Sequence, residues 1–394
     1  MSHAPRHPFA FALLVSGTVL GIAGTDLVLP AVPGLPRLLG GTPEAAQLVL
    51  AAFTGGAAVG LVLFGELGAR FDQRRLLVGS LLAYAGISAL CIFSPSLDVL
   101  IGARFLQGAA GSAAAVFAPG MLRALYGDAG AVRALGLLGS IEALTPALAP
   151  VAGVWLFEHF GWRAAFDTIA VLALVCAVLL QAGRASLPAP RAQRGRGGYG
   201  RLLASPPFLC LALSQAFTLG ALLVFVFGAP AVITTSLGGS LGDFIVMQMS
   251  GIALFVLAAN LTGRIVPRVG AGRVILAGTL VSALGGTAML AYALAGGGDI
   301  AVVIAIFLLL NLGLGLRGPP GFHAAIVAAE GDDARGAALV VVAILLATAL
   351  GTAAVAPFIA GGLVSIAAGA AVLSVSAVLL LARPRARRLP QSTP

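Results

Sequence analysis

Twelve apolar stretches, each long enough to cross a bilayer as a helix, run through this 394-residue chain. A helix needs roughly 20 residues to span about 30 Å of hydrocarbon. The stretches lie near residues 9–30, 45–66, 76–96, 99–122, 134–157, 163–182, 207–232, 243–263, 273–294, 300–326, 336–357 and 361–382. Lipid offers backbone polar groups no partner, and the stretches lack the alternation of barrel strands, so an all-α membrane protein with twelve transmembrane helices is predicted. The scarcity of charge agrees, at 9% of residues against about 25% in soluble domains. The first stretch follows Arg6 as a leader would, but it exceeds a signal h-region and runs straight into further spans, so it reads as the first helix.

The formal net charge of +9 could suggest nucleic acid, yet every basic residue is arginine and placement explains them better. Nineteen of the 23 fall at the chain ends or in alternate loops, among them Arg70, Arg74, Arg75, Arg123, Arg133, Arg184, Arg201, Arg264, Arg268, Arg273 and Arg335. The opposite loops hold only Arg37 and Arg163. The positive-inside rule then puts both termini in the cytoplasm of a multi-pass inner-membrane protein that binds no nucleic acid. Cys91, Cys176 and Cys210 lie in apolar stretches without CxxC spacing, so neither a disulfide framework nor a metal site is indicated.

The longest polar interruption, Arg184 to Arg201, is rich in Arg, Pro and Gly and reads as a mobile linker between an N-terminal half, 1–183, and a C-terminal half, 202–394. Leu67-Gly-Ala-Arg70, with Arg74 four residues on, recurs 194 residues later as Leu261-Thr-Gly-Arg264 with Arg268. The chain thus reads as two six-helix pseudo-repeats, an architecture of secondary transporters whose substrate site lies near the bilayer midplane.

Several motifs resemble the major facilitator superfamily, and within it the twelve-span drug:proton antiporters of the bicyclomycin-resistance type. They include Gly24-Thr-Asp26-Leu-Val-Leu-Pro30 in the first helix, Arg104-Phe-Leu-Gln107-Gly108 in the fourth and Gly161-Trp162-Arg163 before the sixth. The fifth helix contributes Pro146, Pro150 and Gly153, and the seventh Phe227-Gly-Ala-Pro230. The resemblance implies the major facilitator fold, proton coupling through Arg104, and an antiporter motif at Pro146, Pro150 and Gly153. It also implies a conformational latch in the loop Gly65-Glu-Leu67-Gly-Ala69-Arg70-Phe-Asp72-Gln-Arg74. There the chain departs from the family, with Ala69 where an acid is usual; Glu66 or Asp72 could supply the displaced charge.

Charges inside the spans are the candidate functional groups. Asp26 lies about 6 Å and Arg104 about 9 Å from the same membrane face, so the two are expected to pair. Glu142, about 10 Å inside the other face, is expected to be protonated or to face a wet cavity, where it could couple protons or take a cationic substrate. Arg317 and His323, nearer the end of the tenth helix, suggest a snorkelling or vestibule-lining arginine, with ligand contact as the alternative. Gln107, Gln215, Asn260 and Asn311 line a polar path or join helices. Asp167, four residues after Arg163, reads as its local ion-pair partner. Gly313-x-Gly315-x-x-Gly318 matches a dinucleotide fingerprint formally but follows no strand, so no such site is expected.

No catalytic constellation or phosphate loop is present, so a transporter rather than an enzyme is predicted, needing no cofactor. The expected function is proton-coupled efflux of amphipathic small molecules by a monomer that alternates access. Substrate-binding residues would be Glu142, Gln107, Gln215, Asn311 and Arg317. A transporter dedicated to one metabolite, or a non-transporting receptor or scaffold, is the alternative.

Overall fold

The computed structural model describes residues 8–188 and 198–382. Among these residues every regular element is helical, and all twelve expected spans are present. The first six are α1 (Pro8–Val32), α2 (Leu48–Arg70), α3 (Gln73–Ile92), α4 (Leu97–Asp128), α5 (Gly130–Phe160) and α6 (Ala164–Ala182). The second six are α7 (Pro206–Thr235), α8 (Gly242–Val269), α9 (Ala271–Leu294), α10 (Ile300–Val327), α11 (Asp333–Ile359) and α12 (Leu363–Ala382).

Polar side chains set several of the boundaries. The Ser96 hydroxyl accepts from the Val99 amide ahead of α4, and Asp299 accepts from the Ala301 amide at the start of α10. Ser240 and Asp243 cap α8 reciprocally, each side chain accepting from the other's backbone amide. The third span starts at Gln73 instead of residue 76, because the Asp72 carboxylate accepts from the Arg74 amide at 2.9 Å and lets the polar residues 73–75 form its first turn. Between α4 and α5 helical backbone persists almost throughout, broken at Gly127, whose φ of 65° suits a residue without Cβ. From the expected linker, Arg184–Ser186 form a short 3-10 turn and Gly198–Leu203 a short helix. Arg191, Arg194 and Arg196, like Arg6 and the terminal arginines from Arg383 on, lie outside the described residues.

The chain divides into two compact units. The first comprises Met1–Gly127, Ile141–Arg196 and Asp332–Ala338. In it α2 packs on α4, α3 on α4 and α6, and α1 on α4 and α6. The second comprises Asp128–Ser140, Gly197–Gly331 and Leu339–Pro394. In it α8 packs on α10, α9 on α10 and α12, and α7 on α10 and α12. The five pairings of the first unit recur between the corresponding helices of the second, as a duplicated six-helix fold requires. The first turns of α5 belong to the second unit, and those of α11 to the first.

Small residues allow the close helix pairs, since lipid supplies little hydrophobic drive for helices to associate and backbone proximity must supply dispersion instead. At Gly108 of α4 any Cβ would collide with the Phe53 carbonyl of α2. Gly108→Val is therefore expected to force α2 and α4 apart at a cost of about 1–3 kcal/mol. Thermal unfolding of the purified protein in detergent reads this directly, and an unchanged midpoint would contradict the tight α2–α4 contact.

Candidate functional site

Arg104 is fully buried in the first unit, on α4. Its Nη1 donates to the Gly24 carbonyl at 3.0 Å and to Gln107 Oε1 at 2.6 Å, while Nε donates to the Val49 carbonyl at 3.3 Å. The guanidinium also lies over the Phe53 ring, 4.3 Å from its centroid, a favourable contact for a desolvated cation. Gln107 is held in turn, donating to the Ser88 hydroxyl at 2.7 Å, so it joins helices around the arginine. One expectation fails here: among the described residues Arg104 has no carboxylate partner. It takes the backbone carbonyl of Gly24, two residues before Asp26, because this carbonyl at the end of α1 offers a fixed acceptor without the cost of burying a second charge.

Asp26 and Glu142 remain as interior carboxyl groups of the same unit without a cation partner among the described residues. Glu142, half-buried on α5, meets the Thr18 hydroxyl of α1. Pro146 lacks the amide that would bond the Glu142 carbonyl, and Pro150 does the same for Pro146, which loosens the helical ladder beside the carboxyl. Gly153 brings α5 against the other end of α1, since a Cβ there would lie 2.5 Å from the Leu27 carbonyl. The antiporter-like motif thus adjoins the residue after Asp26. Nearby expectations need one further correction: Arg163 does not pair with Asp167 but donates to the Ile92 carbonyl at 2.9 Å and stacks on Trp162.

In the second unit Arg317 is fully buried, so it neither snorkels nor reaches an aqueous vestibule. Its Nη1 donates to the Ser214 carbonyl and, at 2.9 Å, to Thr218 Oγ1, and Nη2 donates to Ser214 Oγ at 3.0 Å. These bonds fasten α10 to α7. Gln215 is buried beside them with Oε1 lacking a partner. Asn311 donates within its own helix to the Phe307 carbonyl at 3.2 Å, and Asn260 of α8 donates to Ser140 Oγ at 2.8 Å.

The loop between α2 and α3 carries the remaining site residues. Asp72 caps α3 and receives Arg74 Nε and Nη2 at 3.2 and 3.1 Å, while Gly65 is buried. Burial pushes the Asp72 carboxyl up, but the hydrogen bonds of Arg74 and the charges of Arg74 and Arg184 outweigh it and hold the group below the usual carboxylate range. Such a group stabilises the fold above the ordinary aspartate value of about 3.9 and loses that contribution as pH falls through its lower folded value. Glu66 accepts from Arg335 Nε at 2.7 Å, far along the chain, and pairs with Arg70 one turn away at 2.5 Å. Arg335 also donates to Asp332 at 2.7 Å, and Arg123 binds both oxygens of Asp333 at 3.2 Å. Sequence reasoning missed Arg123, Asp332, Asp333 and Arg335 as site residues. Their signal was the density of charge in Gly331-Asp-Asp-Ala-Arg335 within a chain so poor in charge.

Two outcomes are expected from this cluster. Glu66→Gln and Arg335→Gln should each lower the melting midpoint, and the double variant should lose less than their sum, with a coupling of about 1 kcal/mol or more; strict additivity would show that the contact contributes nothing. Asp72→Asn should lower the midpoint at neutral pH, with the gap to the wild type closing as the buffer is acidified below about pH 3.9. A gap independent of pH would assign the loss to shape instead of charge.

Residues 14–345 match the model of the Major Facilitator Superfamily. A chloramphenicol resistance protein of Pseudomonas aeruginosa is 32% identical over 273 residues, which cover 68% of this chain and 64% of that protein. A bicyclomycin resistance protein homolog of Haemophilus influenzae is 24% identical over 257 residues, 63% of this chain and 64% of its own length. The chain thus spans about two thirds of the length of these relatives. Among solved structures, the proton:xylose symporter XylE bound to 6-bromo-6-deoxy-D-glucose superposes with a TM-score of 0.75 at 15% identity, over 95% of this chain and 94% of that one. Twelve apolar helices and bacterial relatives of this kind describe a multi-pass protein of the inner membrane. With the same helix pairings in both halves and a family match over most of its length, the chain belongs to the major facilitator superfamily.

Proposed function

We propose that this protein exports amphipathic small molecules in exchange for protons, by alternating access, with both termini in the cytoplasm. The two relatives named above, a chloramphenicol resistance protein and a bicyclomycin resistance protein homolog, support drug-like cargo. The arginine-rich alternate loops support the orientation.

One observation carries the reading: the first unit contains two interior carboxyl groups, Asp26 and Glu142, while its interior cation Arg104 is held by backbone carbonyls and Gln107 through Nε and Nη1 and pairs with neither acid among the described residues. Either carboxyl can gain or lose a proton without breaking a salt bridge. In this scheme Asp26, at the end of α1, carries the coupled proton, and Arg104 holds the adjoining backbone at Gly24. Glu142 exchanges a proton for a basic group on the substrate, and Thr18 serves either state of the carboxyl, since a hydroxyl can both accept and donate. Pro146, Pro150 and Gly153 let α5 bend beside both acids as the cycle turns. At the cytoplasmic ends of the helices, Glu66 and Arg335 replace the acid that Ala69 lacks, with Gly65, Arg70, Asp72 and Arg74 holding the loop. The chain is proposed to act as a monomer.

Export of a cationic dye by reconstituted protein under an imposed proton gradient tests the scheme. Asp26→Asn should reduce proton-driven export at least tenfold, Arg104→Ala should abolish it, and Glu142→Gln should weaken export of cations while sparing a neutral compound of similar size. Collapse of the gradient with a protonophore should stop the wild type. Full export by both acid variants, or export indifferent to the protonophore, would overturn proton coupling through these residues.

A further inference from the structure

The carbonyl that Arg104 takes is one that the helix has released. Regular α-helix in α1 ends at Asp26, and 3-10 backbone follows from Leu29. The Val28 amide would bond the Gly24 carbonyl if the α-helix continued, but it donates to the Thr25 carbonyl at 3.2 Å. Asp26 therefore sits in the turn where the hydrogen-bond ladder changes, and the position of its carboxyl depends on what holds that turn. Arg104 holds it at Gly24, at 3.0 Å.

A second donor grips the same helix one turn earlier. Tyr84 of α3 is fully buried, and its hydroxyl donates to the Leu20 carbonyl at 3.1 Å. Leu20 and Gly24 are four residues apart, so the two carbonyls stand on one face of α1. Glycine makes the approach possible, since a Cβ at Gly24 would collide with the Tyr84 hydroxyl. On α4, a Cβ at Gly111 would lie 3.1 Å from Cε2 of the ring.

The two donors are also tied to each other. Ser88 Oγ donates to the Tyr84 carbonyl at 2.6 Å and accepts from Gln107 Nε2 at 2.7 Å, and Gln107 Oε1 accepts from Arg104. The path of bonds that leaves the Tyr84 hydroxyl thus returns, through α1 and α4, to the Tyr84 backbone. Arg104 is the charged member of this ring, and Cys91, with Sγ 4.0 Å from Gln107 Oε1, is the other titratable group beside it. Any buried tyrosine hydroxyl needs an acceptor. This one takes the carbonyl that continues the line of the Arg104 contact, so α3 and α4 together fix the end of α1.

We propose that Tyr84 is a positioning residue for Asp26: with Arg104 it fixes the last α-helical turn of α1, and so sets where the carboxyl stands when it gains and loses its proton. This rests on the proton-coupling reading above and adds to it a neutral residue of α3. Because Tyr84 carries no charge, deleting its hydroxyl changes the placement of Asp26 without altering the local charge.

The test follows the stretch of protonated carboxyl groups in full-length protein in detergent, by difference infrared spectroscopy over a pH series. The band that Asp26→Asn removes belongs to Asp26. Tyr84→Phe keeps the ring and deletes one oxygen, and should change the proton affinity read from that band at least threefold. Ser80→Ala deletes a buried hydroxyl of the same helix that donates within it, to the Leu77 carbonyl, and should leave the affinity unchanged. The same midpoint in Tyr84→Phe as in the wild type, an equal shift in Ser80→Ala, or no titrating Asp26 band would overturn the proposal. Proton-driven dye export by reconstituted protein separates the two readings. Gradient-dependent export with an unmoved midpoint in Tyr84→Phe removes only the role of Tyr84, whereas a moved midpoint with export indifferent to a protonophore keeps that role and removes the export scheme.

Discussion

A charge placed in a low-dielectric bundle must find hydrogen-bonding partners there, and this requirement organises the interior of the protein. Unpaired, a buried ion loses several kcal/mol of hydration. Arg104 recovers part of that loss through the carbonyls of Gly24 and Val49, the amide of Gln107 and the face of Phe53. These contacts tie α4 to α1 and α2, and the Gln107 bond to Ser88 extends the network to α3. Four helices of the first unit are thus held by one guanidinium and its amide neighbour. Because the partners are dipoles and not carboxylates, the acids of this unit stay available for other chemistry.

The second unit repeats the helix pairings of the first but not its charges. Arg317 plays a comparable clamping part between α10 and α7, yet it stands on a different turn from Arg104 and has no interior acid for company. Duplication preserves packing, because the pairings depend on apolar surface and small residues distributed along whole helices. A single ionisable side chain can change in one copy without disturbing them. The charge is therefore asymmetric on a symmetric frame: interior acids stand in the first unit and a fully buried arginine in the second.

At the loop between α2 and α3, loss of an acid at Ala69 is offset by a different geometry. Glu66 lies one turn earlier on α2, and from there it reaches both Arg70 and Arg335. The first turn of α11 joins the first unit through this contact and through Arg123 with Asp333. Charge at such a junction is worth more than on an open surface because Arg335 and Asp332 are buried.

Length and apolarity of the twelve runs determined the class and the number of helices, since lipid leaves backbone polar groups no partner and the runs lack the alternation of barrel strands, while the recurrence of Leu67–Arg74 as Leu261–Arg268 pointed to the duplication. The sequence also singled out Asp26, Arg104, Glu142 and Arg317, because ionisable residues in such runs are too costly to be incidental. Partner choice was decided only by the tertiary structure. Equal depth suggested that Asp26 would meet Arg104, but depth along a helix says nothing about its rotation, and backbone carbonyls, which have no signature in a sequence, were the nearer acceptors. The same blindness hid the pairing of Glu66 with Arg335, 269 residues apart, and the fastening of Arg317 to Ser214 and Thr218 of α7.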